Sequence, residues 1–260
     1  MNTDTQDLML AHQWADKCID VALVGCGGTG SEMLDELYRM HTLLVALGGK
    51  GFNLVAFDAD CVSPANQGRQ RFWPVDIGHN KAEVLITRIN SFGNMNWSFT
   101  PENFEAHWAK SFDLIITAVD SPAIRAEIGK QMNNEKGYRL WLDCGNGANS
   151  GNVILGHLGQ IDNAYSNGQY IPNVFDLYPI LEEMKDNNEP SCSTQQAMQK
   201  QDYGINRSVA REAAGLVWAL FRHGRLNRHG SYIDLKTGVT SPLLIDPKQW
   251  ALFGYTEKAA

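Results

Sequence analysis

Apolar residues follow one another without a break at residues 21–24 (VALV), then thin to every third or fourth position at Met33, Leu37, Met40, Leu44 and Leu47. The first spacing suits a buried strand, and the second suits one face of a helix opened by Ser31. A glycine cluster (Gly48, Gly49, Gly51) ends that helix, and residues 54–57 form a second apolar run closing on Asp58. Between the first run and the helix, Gly25, Gly27 and Gly30 stand in the spacing G-x-G-x-x-G. Strand, tight turn, helix, strand and terminal acid together predict a nucleotide-binding βαβ unit. The glycines let backbone N–H groups turn sharply towards a phosphate, and the helix N-terminus adds partial positive charge there. Asp58 is placed to accept hydrogen bonds from a ribose.

Upstream, residues 6–17 (QDLMLAHQWADK) have the spacing of a short amphipathic helix. After Asp58, Pro64, Gly68 and Pro74 exclude a long element and predict a polar loop. A helix with Ala82, Leu85, Ile86 and Ile89 on one face begins at Lys81. Residues 112–119 (FDLIITAV) read as a third strand ending on Asp120, and Ser121 with Pro122 as a helix start. Arg125, in the first turn of that helix, has Glu127 and the preceding acid as candidate partners. A strand at 139–143, a loop (CGNGANSGN) and a strand at 153–158 continue the alternation. It predicts an α/β fold, Rossmann-like and doubly wound, with a mostly parallel sheet covered on both faces.

From Gln160 to Ser191 the chain turns polar and rich in Asn, Asp and Pro, a long crossover excursion that reads as a lid or a disordered segment. A strong helix over about 207–223 follows, with Val209, Ala213, Leu216 and Leu220 inward and Gly224 as its stop. A hairpin turning at Lys236, Thr237 and Gly238 completes a C-terminal antiparallel extension. Residues 1–260 are thus expected to form a single domain: a nucleotide-binding core over 15–160, the excursion over 160–206, and helix plus hairpin over 207–260.

A hydrophobic content of 43 % over 260 residues is enough for one substantial core. The net charge of −7 gives no support for nucleic-acid or anionic-membrane binding. No apolar run approaches the roughly 18 residues a membrane span needs. The polar, acidic start MNTDTQDLML is neither a secretory nor a mitochondrial signal. Five scattered cysteines without a C-x-x-C pair predict neither a disulfide framework nor a zinc site. A reduced, cytoplasmic protein is expected, and its seven histidines, lacking ligand spacing, are expected to be structural or surface residues.

Asp58, Arg69, Lys81 and Asp120 all follow the carboxyl ends of predicted strands, the edge where open parallel sheets bind ligands. Two cations and two acids beside a phosphate-binding turn suit a magnesium triphosphate. Arg69 can fork onto phosphate oxygens, Lys81 supplies a point charge, and Asp120 can hold Mg2+. An NAD(P)-dependent oxidoreductase shares the βαβ start but leaves Arg69 and Lys81 unused; a catalytically silent ATP- or partner-binding scaffold is the other alternative.

The segments GCGGTG, DADCVSPANQGRQRF, DIGHNKAE and ITAVDSPAIR occur in this order, and the chain thereby resembles the ThiF/MoeB/HesA group, relatives of the ubiquitin-activating enzymes. With DLYP and EPSCSTQQAMQKQDYGIN downstream, it most resembles the ThiF-family members of the PRTRC system. The resemblance implies that Gly25, Gly27, Gly28 and Gly30 bind the ATP phosphates and Asp58 the ribose. It implies that Asn66, Arg69 and Gln70 contact the triphosphate, that Lys81 neutralises the reacting phosphate, and that Asp120 holds Mg2+. The implied reaction is adenylation of the C-terminal glycine of a small ubiquitin-like β-grasp protein by a homodimer, with release of pyrophosphate. Cys192 matches the position where relatives place either a zinc ligand or an acceptor thiol; a thioester there, with passage to a conjugating-enzyme-like acceptor, stands beside the alternative of an ordinary surface, interface or structural cysteine. The arginine that relatives carry on an N-terminal helix has no counterpart before Arg39, leaving Lys17 as a substitute, and the paired zinc-ligating C-x-x-C of many relatives is absent.

Overall fold

The computed structural model describes residues 7–11, 14, 16–161, 170–184 and 201–256. Eight strands form one sheet in the order β10 (Val239–Leu244), β9 (Arg228–Asp234), β7 (Ser150–His157), β6 (Leu140–Asn146), β5 (Leu114–Thr117), β2 (Ile19–Val24), β3 (Phe52–Phe57) and β4 (Ser98–Thr100). Its parallel half contains β2, β3, β4, β5 and β6. All four residues of β5 are buried, as expected for a strand covered on both faces. The chain leaves β2 for β3 and β4, then returns to lay β5 against the other side of β2. This reversal opens a crevice outside the carboxyl ends of β2 and β5.

Helix α1 (Gly28–Ala46) buries Met33, Leu37, Met40 and Leu44 of the expected face, but it begins at Gly28 rather than Ser31 and ends before Leu47, which caps it and is exposed. Helix α2 (Lys81–Gly93) begins at the expected lysine, with Asn80 as its N-cap. Helix α3 (Pro122–Met132) is capped by Ser121. The long C-terminal helix, α5 (Ile205–His223), packs along α1 and against β6, β7 and β9. It stops at Gly224, whose φ is +74°. Strands β9 (Arg228–Asp234) and β10 (Val239–Leu244) form the expected hairpin.

Several expectations are corrected. Residues 8–9 form strand β1 (Leu8–Met9), paired with β8 (Arg225–Leu226), rather than part of a helix over 6–17. Leu8, Ala11 and Trp14 are buried against other parts of the chain, and Trp14 stacks on Phe221 of α5 at 6.0 Å. The stretch CGNGANSGN, expected as a loop, largely belongs to β6 and β7 (Ser150–His157), which pair antiparallel around a tight turn. So short a connection cannot make the crossover that a parallel pair requires. A Cβ on Gly151 would lie 2.4 Å from Val209, so α5 approaches the sheet through glycine there. Strand β4 was not anticipated; it is three residues long and mostly polar. Part of the polar excursion belongs to the core: Ile171 is buried, as are Val174 and Leu177 of α4 (Val174–Leu177). Arg125 pairs with Asp143 on β6 at 2.6 Å, both buried, and not with Glu127 or Asp120.

His157 and His229 are buried and neutral. Burial is the main cause that lowers them to about 3 and about 4 respectively, from 6.5. Trp250 Nε1 donates to His229 Nε2 at 2.8 Å, and the Ile171 N–H donates to His157 Nδ1 at 2.9 Å, so a proton on either nitrogen would face a donor. The folded state therefore resists protonation while the unfolded chain accepts it. Stability is whole above about pH 6.5 and falls as pH drops towards 4, by about 1.4 kcal/mol per pH unit for each histidine. Urea denaturation at pH 7.5, 6.5, 5.5 and 4.5 measures this slope. His229→Gln should remove about half of it, and a flat profile through this range would refute the assignment.

Candidate nucleotide site

The turn after β2 shows why each glycine stands where it does. Gly25 has a φ of +92°, and a Cβ there would meet Ala118 O at 2.7 Å. A Cβ on Gly30 would lie 1.9 Å from Gly25 O, so the turn closes only on glycine. On Gly28 it would lie 2.5 Å from the Asn206 side chain. Gly27 differs: the nearest atom to its Cβ position is Gln70 Nε2, at 3.8 Å. Of the four glycines in this turn, Gly27 is the one whose Cβ position has only an ordinary van der Waals neighbour, so its side of the turn is open.

Asp58 lies just beyond β3 and is tied to this turn. Its Oδ2 accepts from the Cys26 N–H at 2.7 Å, and its Oδ1 from the Asp60 N–H at 2.9 Å. Burial pushes the carboxyl up, with Lys81 working against it. A carboxylate has about four lone-pair directions, so Asp58 can still accept from a ribose. Lys81 is buried and paired with Asp60 Oδ2 at 2.6 Å. Asn80, which sequence reasoning passed over, holds this loop in place. Its Nδ2 donates to Asp58 O at 2.7 Å and Asp60 O at 3.2 Å, while its Oδ1 caps α2 through Glu83 N at 3.0 Å. An Asn directly before an apolar-periodic segment is a helix-cap signal that could have found it.

Arg69 stands between two clefts, of about 370 Å³ and 880 Å³. Asp120 is exposed and lines the larger one with Arg69. Among the described residues no carboxylate lies within ion-pair distance of Arg69, and its buried Nε has no hydrogen-bond partner. Burial lowers the Arg69 pKa, partly offset by the charge of Asp120. An arginine stays protonated regardless, so the site holds a half-buried cation suited to an incoming anion. Gln70 Oε1 is likewise buried without a partner among the described residues. Asn66 is buried, with its Oδ1 committed to Ser63 N at 2.8 Å, which leaves only its NH2 group to offer a ligand.

The expected residues are thus brought to one sheet edge, with Lys81 withdrawn into its ion pair. Cys192 lies outside the described residues. Cys26 and Cys144 are buried, and burial raises both thiols, making them poor nucleophiles. Cys61 is exposed. Lys17 pairs with Asp113 at 2.7 Å beyond the amino end of β2. Among the described residues no group of three or more His, Cys, Asp or Glu could hold a metal. For Mg2+ that is no obstacle, because this ion commonly binds one or two carboxylates together with substrate phosphates. No helix among the described residues is long and apolar enough to cross a membrane.

Sequence reasoning also missed the amides that close the site. Asn146 Nδ2 donates to Thr29 Oγ1 at 3.0 Å and Asn206 Oδ1 at 2.6 Å, and Thr29 Oγ1 donates to Asn206 Oδ1 at 3.1 Å. No local signal marks these residues, because they come from three distant segments. Gly28→Ala should drive a methyl into the hydrogen-bonded Asn206 and cost about 1–3 kcal/mol of stability. In urea melts, Asn206→Ala should recover part of that loss when combined with it, whereas full additivity would show that the two sites do not meet.

The ThiF family model matches residues 10–157. Ubiquitin-like modifier-activating enzyme 5 of Branchiostoma floridae is 31 % identical over 156 residues, covering 53 % of this chain and 35 % of that protein. The Aedes aegypti protein of the same name is 34 % identical over 104 residues, 40 % of this chain and 24 % of that one. Ubiquitin-activating enzyme E1-like of Saccharomyces cerevisiae (strain ATCC 204508 / S288c) is 30 % identical over 115 residues, 42 % of this chain and 17 % of that protein. This chain therefore spans only about a third or less of these relatives. Among solved structures, E. coli MccB with ATP superposes with a TM-score of 0.55 at 17 % identity, covering 87 % of this chain and 64 % of that one. PaaA gives 0.53 at 16 % identity, with the same coverages of 87 % and 64 %. These two likenesses bear on the fold alone. With more than half of its residues matched by the family model, the chain belongs to the ThiF family.

Proposed function

We propose that this chain is an adenylyltransferase that uses Mg-ATP to activate the C-terminal glycine of a small ubiquitin-like β-grasp protein. The observation that carries the proposal is Arg69, a half-buried cation without a carboxylate partner among the described residues. It lines one cleft with Asp120 and stands next in sequence to Gln70, the side chain nearest the open side of Gly27. The names of the curated relatives, activating enzymes for ubiquitin or ubiquitin-like modifiers, support the same reading. Within the ThiF family, the DLYP and PSCSTQQ segments favour the PRTRC subgroup.

A terminal carboxylate is ionised at neutral pH and needs no general base. The difficulty is bringing it to an anionic α-phosphorus. Its oxygen forms a new bond to that phosphorus while the bond to the pyrophosphate oxygen breaks, leaving an acyl adenylate. Backbone N–H groups of the glycine turn and the Arg69 fork would stabilise charge on the phosphate oxygens. Lys81 would join them by exchanging Asp60 for phosphate, and Asp58 would orient the ribose. Gln70 and the Asn66 NH2 group would complete the triphosphate contacts. Mg2+, held by Asp120, would neutralise charge on the departing pyrophosphate. Attack of the Cys192 thiolate on the acyl carbon would form a thioester and release AMP as the acyl–phosphate bond breaks; onward passage to a conjugating-enzyme-like acceptor and a homodimeric assembly complete the proposal.

ATP–pyrophosphate exchange, stimulated by small glycine-ending β-grasp proteins encoded in the same genome, measures the reaction. Arg69→Ala and Asp120→Ala should each lower the exchange rate by roughly 10²-fold or more. Exchange near the parental rate in both variants would overturn the site assignment. Intact-mass analysis with ATP and partner should detect a covalent adduct that Cys192→Ala abolishes.

A further inference from the structure

Arg69 has one hydrogen bond to a described side chain: its Nη1 donates to Gln201 Oε1 at 2.7 Å. Gln201 lies outside the residues matched by the ThiF family model, 132 positions along the chain. It is itself held from two sides. Its Nε2 donates to Asn146 Oδ1 at 3.2 Å, and Asn206 Nδ2 donates to its Oε1 at 3.4 Å. Asn146 and Asn206 are joined directly at 2.6 Å, so the three amides form a closed ring. Thr29, in the first turn of α1, anchors that ring to the glycine turn. Asn206 is buried and also occupies the space that makes Gly28 a glycine.

The chemistry of the contact is selective. An arginine side chain has many rotamers, and fixing one before a ligand arrives lowers the entropy lost on binding. A carboxylate at position 201 would fix Arg69 as well but would cancel the charge an anion needs. An amide oxygen accepts the hydrogen bond and leaves the guanidinium cationic. The ring uses side-chain donors and acceptors from β6 and the start of α5 to aim a residue on the loop after β3.

We propose that Gln201 is a positioning residue for Arg69, holding the guanidinium ready for the nucleotide's phosphates, with Asn146 and Asn206 holding Gln201. The inference rests on the reading of Arg69 as a triphosphate ligand. It gives the segment before α5 a role at the nucleotide site, distinct from any covalent chemistry at Cys192.

The test is calorimetric titration of the full chain with Mg-ATP and with adenosine, using Gln201→Met, Gln201→Glu, Arg69→Ala and the Arg69→Ala/Gln201→Met pair. Gln201→Met keeps the side chain's length and removes its hydrogen bonds. It should weaken ATP about tenfold, the scale of a lost hydrogen bond to a charged group, and leave adenosine unchanged. In the Arg69→Ala background the same change should alter ATP affinity by less than about twofold, because the group it positions is gone. Gln201→Glu should weaken ATP by more than Gln201→Met does, through charge cancellation, and it provides the same test if the methionine variant is unstable in a thermal melt. Losses that add in full to those of Arg69→Ala, or equal losses for ATP and adenosine, would overturn the proposal and leave the adenylation reading intact. ATP binding unaffected by Arg69→Ala would instead remove that reading, and this inference with it.

Discussion

The tight turn between β2 and α1 is the constraint on which the rest of this structure depends. Gly30 sits so close to the Gly25 carbonyl that a Cβ would stand 1.9 Å from its oxygen, and Gly25 itself is pressed against the end of β5. A turn this compact directs the first N–H groups of α1 out of the sheet's carboxyl edge. It also brings the Cys26 N–H to Asp58, so the acid beyond β3 is located by the same turn. The switch point between β2 and β5 supplies the open space in front of it.

Around that turn the two cations are kept in different states. Lys81 is buried in an ion pair with Asp60, and engaging a phosphate requires it to exchange one anion for another. Arg69 has no carboxylate partner among the described residues and is held by a neutral amide. Its loop therefore carries a charge that Asp120 only partly offsets into a partly desolvated place, which is costly without a ligand and favourable with one. The Arg125–Asp143 pair is different again: both members are buried and the pair joins α3 to β6, with Thr117 of β5 also donating to Asp143. That pair holds the floor of the larger cleft, so the arginine of the D-S-x-x-x-R segment acts at least in part through architecture.

Much of this was legible along the chain. Apolar spacing located β2, α1, β3, α2, α3 and the long C-terminal helix, because each buries a face whose period is written in consecutive residues. The glycine spacing located the tight turn, and the strand-terminal acids located the charged carboxyl edge of the sheet. What was missed depended on partners far away in sequence. Leu8 and Met9 are extended because Arg225 and Leu226 lie beside them, and the glycine- and asparagine-rich residues 144–152 enter the sheet because α5 presses on them.

The sequence alone therefore determined the doubly wound core, the tight glycine turn and the set of charged residues at its mouth, since all of these rest on local spacing and backbone geometry. The tertiary structure decided which of those charges are committed and which remain available. Whether Lys81 meets Asp60, Arg125 meets Asp143, or Arg69 meets an amide from the far end of the polar excursion depends on distances that folding sets between remote segments.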